Sequence, residues 1–289
     1  YYSKMETLLP TSVQIPKVLT IAGSDSGGGA GLQADLKVIT ALGGYGMSVI
    51  TAITAQNTLG VTRIQDVDLD VVEAQMDAVF SDIGVDIVKI GMLASPEIVQ
   101  IVAKTLRKYG IKKVVLDPVL RATSGASLGG DDTAQAIIQE LFPLAMLVTP
   151  NMDETSLLLG RDIVGPDDFK LAAQELLDMG PQAVLIKGGH LQSDVVSDLL
   201  LTDNNTPHWI RAPRVPTPNT HGTGCTLSSA IAAHLALGHS LLEAVQHAHA
   251  FIRLSLQAGA HVLTGHGSGP LNHGAAPQPM HLRPLHTPS

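Results

Sequence analysis

Apolar positions along the chain form short runs that alternate with longer stretches of helical spacing, and most runs end in a polar or glycine-rich cluster. Val18 to Ala22 is the first run, too short for a helix, and reads as a buried strand. It ends in Gly23-Ser24-Asp25-Ser26-Gly27-Gly28-Gly29-Ala30-Gly31. Beyond that cluster Leu32, Leu36, Ile39 and Leu42 recur at helical spacing. Ser48 to Thr54 is β-branched and predicts a strand, and Val61 to Val67 alternates as a more exposed strand does. The spacing predicts a helix over Val71 to Ile83 and a buried strand over Asp86 to Ile90, closed by Gly91-Met92. Ser95 and Pro96 supply an N-cap and a first helical residue. Strands follow at Val114 to Leu116, closed by Asp117-Pro118, and at Met146 to Val148, closed by Thr149-Pro150-Asn151. Phe169 to Met179 is helical, and Ala183 to Ile186 is a strand closed by Lys187-Gly188-Gly189. Ser197 to Thr202 and His208 to Arg211 can pair as a hairpin across Asn204-Asn205, and two long helices, 224–237 and 241–260, end the core.

This alternation predicts an α/β fold, a mostly parallel central sheet with helices on both faces. In such sheets ligands sit outside the carboxyl ends of the strands, where the polar clusters fall. The chain has no internal repeat and no linker, so residues 17–271 are expected to form one domain. Residues 1–16 read as a loose extension, and the Pro, His and Gly of 272–289 as a disordered tail.

Composition narrows the function classes. The formal net charge of −8 argues against nucleic-acid or anionic-membrane partners, which need an extended basic surface. No segment approaches the ~18 apolar residues of a membrane span. With Cys225 as the lone cysteine there is no intrachain disulfide and no CxxC pair, which fits a reducing cytoplasm. The GxxxxGK[ST] loop is absent, and in the dinucleotide fingerprint counted from Gly27 and Gly29 the third glycine would fall on Leu32. The twelve histidines show no tight metal-ligand spacing; His247 and His249 read as helix decoration.

The strongest chemical signal is Asn219-Thr220-His221-Gly222-Thr223-Gly224-Cys225-Thr226, running straight into an apolar helix. Glycines at a helix mouth let backbone N–H groups converge on an anion, and the helix dipole adds positive potential. Gly222, Thr223 and Gly224 are therefore candidates for an anion hole, and Cys225, in the first turn, for a thiolate general base. Pro150-Asn151-Met152-Asp153-Glu154 places Asn151 and Glu154 on one side of a helical turn, where they can hold Mg²⁺ or form an ordinary capping box. Lys187, at a strand end, can bind ATP phosphates as a point charge.

Together these blocks, with Ala55-Gln56-Asn57, Lys89-Ile90-Gly91-Met92 and Asp117-Pro118-Val119, resemble the hydroxymethylpyrimidine/phosphomethylpyrimidine kinases of the ribokinase-like superfamily over about residues 18–270. The resemblance implies ATP- and Mg²⁺-dependent phosphorylation of 4-amino-5-hydroxymethyl-2-methylpyrimidine, then of its monophosphate, in thiamine biosynthesis, by a homodimer. It places Asp25, Gln56 and Met92 around the pyrimidine and sets Cys225 where sugar kinases carry an aspartate base; Asp117 joins Asn151 and Glu154 as a metal candidate. The same fold also serves pyridoxine/pyridoxal kinases. Gln56 favours the pyrimidine, because one carboxamide satisfies an amino donor and the adjacent ring-nitrogen acceptor at once, a pair that the pyridoxal ring lacks. Cys225 and Lys187 argue against a non-catalytic sensor, and the failed fingerprint argues against a dinucleotide oxidoreductase.

Overall fold

The computed structural model describes residues 13–120, 130–189, 193–204 and 206–284. Nine strands form one sheet: β2 (Lys17–Asp25), β3 (Tyr45–Asn57), β4 (Gly60–Asp66), β5 (Ile87–Ile90), β6 (Val114–Leu116), β7 (Leu147–Val148), β8 (Ala183–Ile186), β9 (Val195–Thr202) and β10 (Pro207–Pro213), in the order β10-β9-β8-β7-β6-β5-β2-β3-β4. From β8 through β3 every pairing is parallel, and an antiparallel hairpin finishes each edge. The connection reverses direction at β2, which has β3 on one side and β5 on the other. That switch opens a crevice beyond the strands' carboxyl ends.

Burial alternates along the strands as the period of two requires. Ala183 and Leu185 pack on one face with Val38, Leu227, Ala230 and Val245 from α1 (Gly31–Ala41), α7 (Thr223–Ala236) and α8 (Leu241–Gly259). Val184 and Ile186 pack on the other with the apolar stripes of α2 (Leu69–Ala78), α3 (Pro96–Lys108), α4 (Asp131–Ala136), α5 (Met152–Leu159) and α6 (Pro166–Leu177). α3 starts as its sequence dictates, with Ser95 Oγ accepting the Ile98 N–H and Pro96 at the first helical position.

Three expectations need correction. The helix over Val71 to Ile83 is α-helical only to Ala78; Val79–Ile83 is a π turn, with Gly84 N–H donating to the Val79 carbonyl. The extension and the tail are not both loose: in β1 (Val13–Gln14) and β11 (Arg283–Pro284) they pair with each other as a small antiparallel ribbon. The tail up to Pro284 also lies on the body of the protein. His273 is buried against Thr226 Oγ1 at 3.1 Å, and the N–H groups of Gln278 and His281 donate to the carbonyls of Ala41, the last residue of α1, and of Gly43 just beyond it. Composition marked this segment as unable to build a core, which is true, but it needs only to satisfy carbonyls that α1 leaves open.

Gly43 is the hinge of that arrangement. It adopts φ +80°, and a Cβ there would stand 2.5 Å from the Pro279 carbonyl oxygen. Gly43→Ala is expected to cost about 1–2 kcal/mol from the left-handed backbone alone, with a further loss as the tail is pushed off. Urea unfolding monitored by circular dichroism measures it; an unchanged midpoint refutes the docked tail.

Candidate active site

A cavity of about 580 Å³ lies beyond the carboxyl ends of the parallel strands, at the switch. Its floor is the start of α7. Gly222 caps the helix at φ +81°, so close to the first glycine turn that a Cβ would overlap the Gly29 carbonyl oxygen. Only glycine fits there. Thr223, Gly224 and Cys225 of the first turn of α7 border the cavity; the Thr223 N–H donates to the Thr220 carbonyl at 3.2 Å, and the helix itself supplies no partner for the N–H groups of Gly224 and Cys225. The predicted anion hole and Cys225 are thus brought together.

Asp25, Gln56 and Met92, predicted around the pyrimidine, line the same cavity from the ends of β2, β3 and β5. Asp25 has a second task. Its carboxylate accepts N–H groups from Gly27 at 2.8 Å, Gly29 at 3.1 Å and Ala30 at 2.8 Å, and lies 3.0 Å from His221 Nε2. Burial pushes this carboxyl upward, but the hydrogen bonds from His221, Ala30 and Gly27 outweigh it and hold the group below its ordinary value. Gln56 Oε1 accepts from Thr54 Oγ1 at 3.2 Å, and its amide nitrogen is 3.4 Å from His221. His221 is the residue that sequence reasoning passed over. Its place directly before Gly222 in the strongest motif was the available signal.

The charged wall comes from β6, β7 and β8. Lys187 Nζ donates to Asp117 at 2.8 Å and lies 3.9 Å from Glu154. Asp117 also accepts from Thr149 Oγ1 at 3.1 Å and Ser228 Oγ at 3.3 Å. Burial raises its pKa, but attraction to Lys187 and Lys89 and the hydrogen bonds hold it low. Lys187 is correspondingly held above its ordinary value: burial opposes its charge, and Asp117 and Glu154 overcome that. Asn151 and Glu154 form a true capping box: Asn151 Oδ1 accepts the Glu154 N–H at 2.9 Å and Glu154 Oε2 accepts the Asn151 N–H at 2.8 Å. Burial lifts the Glu154 carboxyl to about 7, with Lys187 opposing and Asp117 adding repulsion. Two buried carboxylates facing one lysine are a hard-oxygen donor set that suits a divalent cation. Among the described residues no cluster of three or more His, Cys, Asp or Glu is arranged to hold a metal, so such an ion would keep water or ligand oxygens in its shell.

Cys225 corrects an expectation. The helix N-terminus was expected to favour the thiolate, but burial pushes the thiol up to about 11, with Asp35 and Asp117 adding to the rise and Lys89 and the Gly31 N–H opposing it. The sulfur rests as an uncharged thiol at neutral pH.

The far end of the cavity is apolar, formed by Val196, Ala212, Pro213, Val215, Ile252 and Leu256. His249, read from sequence as helix decoration, stands there with Nε2 3.2 Å from buried Asp198. His247 instead packs against His234 and His239, with ring centroids 5.0 and 4.7 Å away. No helix among the described residues is long and apolar enough to cross a membrane.

Comparison with known proteins places this geometry. A profile of the phosphomethylpyrimidine kinase family matches residues 25–272. The chain is 52% identical over 257 residues to a hydroxymethylpyrimidine/phosphomethylpyrimidine kinase of Rhizobium meliloti, covering 88% of this chain and 96% of that one. It is 45% identical to the kinase of the same description from Escherichia coli, with the same coverage. It also matches 52% of a bifunctional thiamine biosynthesis protein of Geobacter sulfurreducens at 48% identity, covering 89% of this chain. Among solved structures, Bacillus subtilis pyridoxal kinase as an ADP complex superposes with a TM-score of 0.84 at 37% identity, covering 91% of this chain and 98% of that one. A phosphomethylpyrimidine kinase of Clostridium difficile superposes at 0.73 and 44% identity, covering 83% and 98%. The fold is ribokinase-like, and the chain belongs to the phosphomethylpyrimidine kinase family.

Proposed function

We propose that the protein phosphorylates the hydroxymethyl group of 4-amino-5-hydroxymethyl-2-methylpyrimidine with ATP and then phosphorylates the monophosphate, as a thiamine-biosynthetic kinase. The observation that carries this is the sharing of one cavity by Gln56, the α7 anion hole and the Lys187–Asp117 pair. Gln56 reads the aminopyrimidine edge, and Met92 packs on the ring. The nucleotide base takes the apolar end, so its phosphates run toward Lys187 and the mouth of α7. Asp117, Glu154 and Asn151 would hold Mg²⁺, which neutralises phosphate charge when bound. The family's occurrence as homodimers extends to this chain as part of the proposal; exposed Ile53 and Ile64 on the β3–β4 edge support it. A reducing cytoplasm suits its lone cysteine.

In the first transfer the substrate oxygen bonds to the γ-phosphorus and the bond to the β,γ-bridging oxygen breaks. ADP departs with that electron pair, and the hydroxyl proton passes to Cys225 Sγ in its thiolate form, which becomes the thiol. First-turn N–H groups of α7 receive the charge on the equatorial oxygens and need no reorganisation to do so. A sulfur with a pKa of about 11 is a strong base held by about one molecule in 10⁴ at pH 7. A loose transition state asks little of the base until bond formation has acidified the hydroxyl.

The pyridoxal kinase reading rests on structural neighbours of the same fold at 35–37% identity, below the 43–52% of relatives described as pyrimidine kinases. Side-by-side turnover decides it: kcat/KM is expected to be higher for the pyrimidine alcohol than for pyridoxine, and Gln56→Met to narrow the gap. A tenfold preference for pyridoxine, about 1.4 kcal/mol the wrong way, ends the assignment.

For the metal, Glu154→Gln is expected to raise the Mg²⁺ concentration giving half-maximal rate several-fold, with pyrimidine binding nearly intact. Unchanged Mg²⁺ dependence leaves Glu154 as a cap alone.

Cys225→Ala is expected to lower kcat by about 10²-fold at saturating ATP. Because the thiol is protonated below about 11, wild-type kcat should climb with pH from 7 to 9 as thiolate accumulates, and the alanine variant should lose that slope. A loss under fivefold with the slope retained makes Cys225 a packing residue.

A further inference from the structure

Beneath the anion hole lies a buried ion pair that the proposed reaction does not yet use. Lys89 of β5 and Asp35 of α1 are both fully buried, with Nζ 3.0 and 2.9 Å from the two carboxylate oxygens. Asp35 also accepts from Thr20 Oγ1 at 2.6 Å and from Ser229 Oγ at 2.6 Å. The carboxylate is saturated, and its position is set from three elements at once. Among the described hydrogen bonds Lys89 donates only to Asp35, although the ammonium group can make three.

Helix geometry places this cluster under Cys225. Ser229 follows Cys225 by four residues on α7, and Asp35 follows Gly31 by four on α1. Residues four apart stack on one helix face, about 6 Å along the axis. The Gly31 N–H points at the Cys225 sulfur, while Asp35 receives Ser229 one turn further down. Lys89 rises from the sheet into that seam and borders the cavity. Gly91 stands beside it, where a Cβ would come within 2.9 Å of Nζ, so the absent side chain leaves the ammonium room.

A buried ion pair is weak evidence for stability, since apolar residues of similar volume often serve as well or better. Ile87, on the same strand and face, is such a residue. The cost of placing a lysine here calls for another role. We propose that Lys89 is a positioning residue of the phosphoryl transfer: a fixed positive charge, clamped by Asp35, that stabilises negative charge on Cys225 and at the mouth of α7. The catalytic part of this rests on the reading of Cys225 as proton acceptor.

The charged groups facing Cys225 are Lys89 from β5, Asp35 from α1, Asp117 beyond β6 and Lys187 beyond β8. Lys89 is the strongest of them in its effect on the sulfur and the one that favours thiolate most; Asp35 and Asp117 oppose it. Asp35 therefore anchors the cation without cancelling it.

The test exploits the lone cysteine. The rate of iodoacetamide alkylation against pH, without nucleotide, reports the Cys225 thiolate directly. It is read in the wild type and in the double variant Lys89→Met/Asp35→Leu, which removes both charges together. The double variant is expected to fold, to alkylate about tenfold more slowly at pH 8.5, with its profile displaced to higher pH, and to lose kcat by a similar factor with KM for the pyrimidine little changed. Should it not fold, Lys89→Gln, which still donates to Asp35, serves instead and should displace the profile further, because the negative charge remains. Ser229→Ala keeps both charges and should leave the profile within about twofold of wild type. An alkylation profile that superposes on wild type in the folded variant overturns the proposal. If the profile moves while Cys225→Ala retains its kcat, the electrostatic role stands and the base assignment is what fails.

Discussion

The Asp25 carboxylate accepts N–H groups from Gly27, Gly29 and Ala30 on its own loop and meets His221 on the loop before α7. It thereby holds two glycine turns, 196 residues apart in sequence, in backbone contact at Gly29 and Gly222. Neither turn makes a site alone. The first opens α1 and the second opens α7, and each lacks a wall opposite it until the other is in place. Joined, they fix the mouth of α7 against the end of β2, and the floor of the cavity becomes rigid. A preorganised floor is what phosphoryl transfer needs, because positioning and electrostatics supply most of its catalysis.

The charges around that floor are arranged in two lysine–aspartate pairs, Lys89–Asp35 below Cys225 and Lys187–Asp117 beside it. Each pair is close to neutral as a unit, so neither floods the cavity with charge before a nucleotide arrives. Glu154 is the remainder. It is a second carboxyl within reach of Lys187, and burial, with repulsion from Asp117, lifts it to about 7 against the pull of that lysine. A cation that brings two positive charges relieves that repulsion, and a nucleotide would bring one with it. The capping box uses Glu154 Oε2 and fixes where the carboxylate stands.

Much of this could be read from the chain. The buried strands were legible because four or five consecutive apolar residues cannot all face one way on a helix of that length. The polar clusters after Ala22, Ile90, Leu116, Val148 and Ile186 then located the cavity by the rule for parallel sheets. What failed was whatever depends on depth or on distant partners. The direction of the Cys225 pKa is the clearest case. Sequence shows a thiol at a helix N-terminus, an effect worth about 0.3–1 kcal/mol. It does not show that the fold half-buries that thiol beside Asp35 and Asp117, and a rise to about 11 is worth roughly 2–3 kcal/mol in the other direction. His221 was missed for a related reason: its partner Asp25 is at the other end of the chain. The docked tail escaped because Gln278 and His281 bind by backbone N–H groups, which every residue type except proline carries.

Machinery and recognition occupy different parts of the sheet. Cys225, Lys89, Asp117 and Lys187 stand on or over central strands buried on both faces, where a change of side chain disturbs the core. Gln56 stands on β3 next to the edge hairpin, at a register shift between Ala55 and Gln56 in the pairing with β4. The extra residue is Thr62 on β4, whose hydroxyl donates to the Ala55 carbonyl at 3.0 Å, so β3 keeps its period of two and Gln56 lies on the same face as Thr54, toward the cavity. Pairing continues through Asn57 and Gly60 after the bulge, so the strand absorbs the irregularity without losing its partner. Residues at such a place can be exchanged at little cost to the fold. That separation gives a physical reason why pyridoxal and pyrimidine kinases superpose so closely. On the proposed reading the phosphoryl-transfer apparatus is constrained by the core, whereas Gln56, the residue that would read the ring, lies where the core ends.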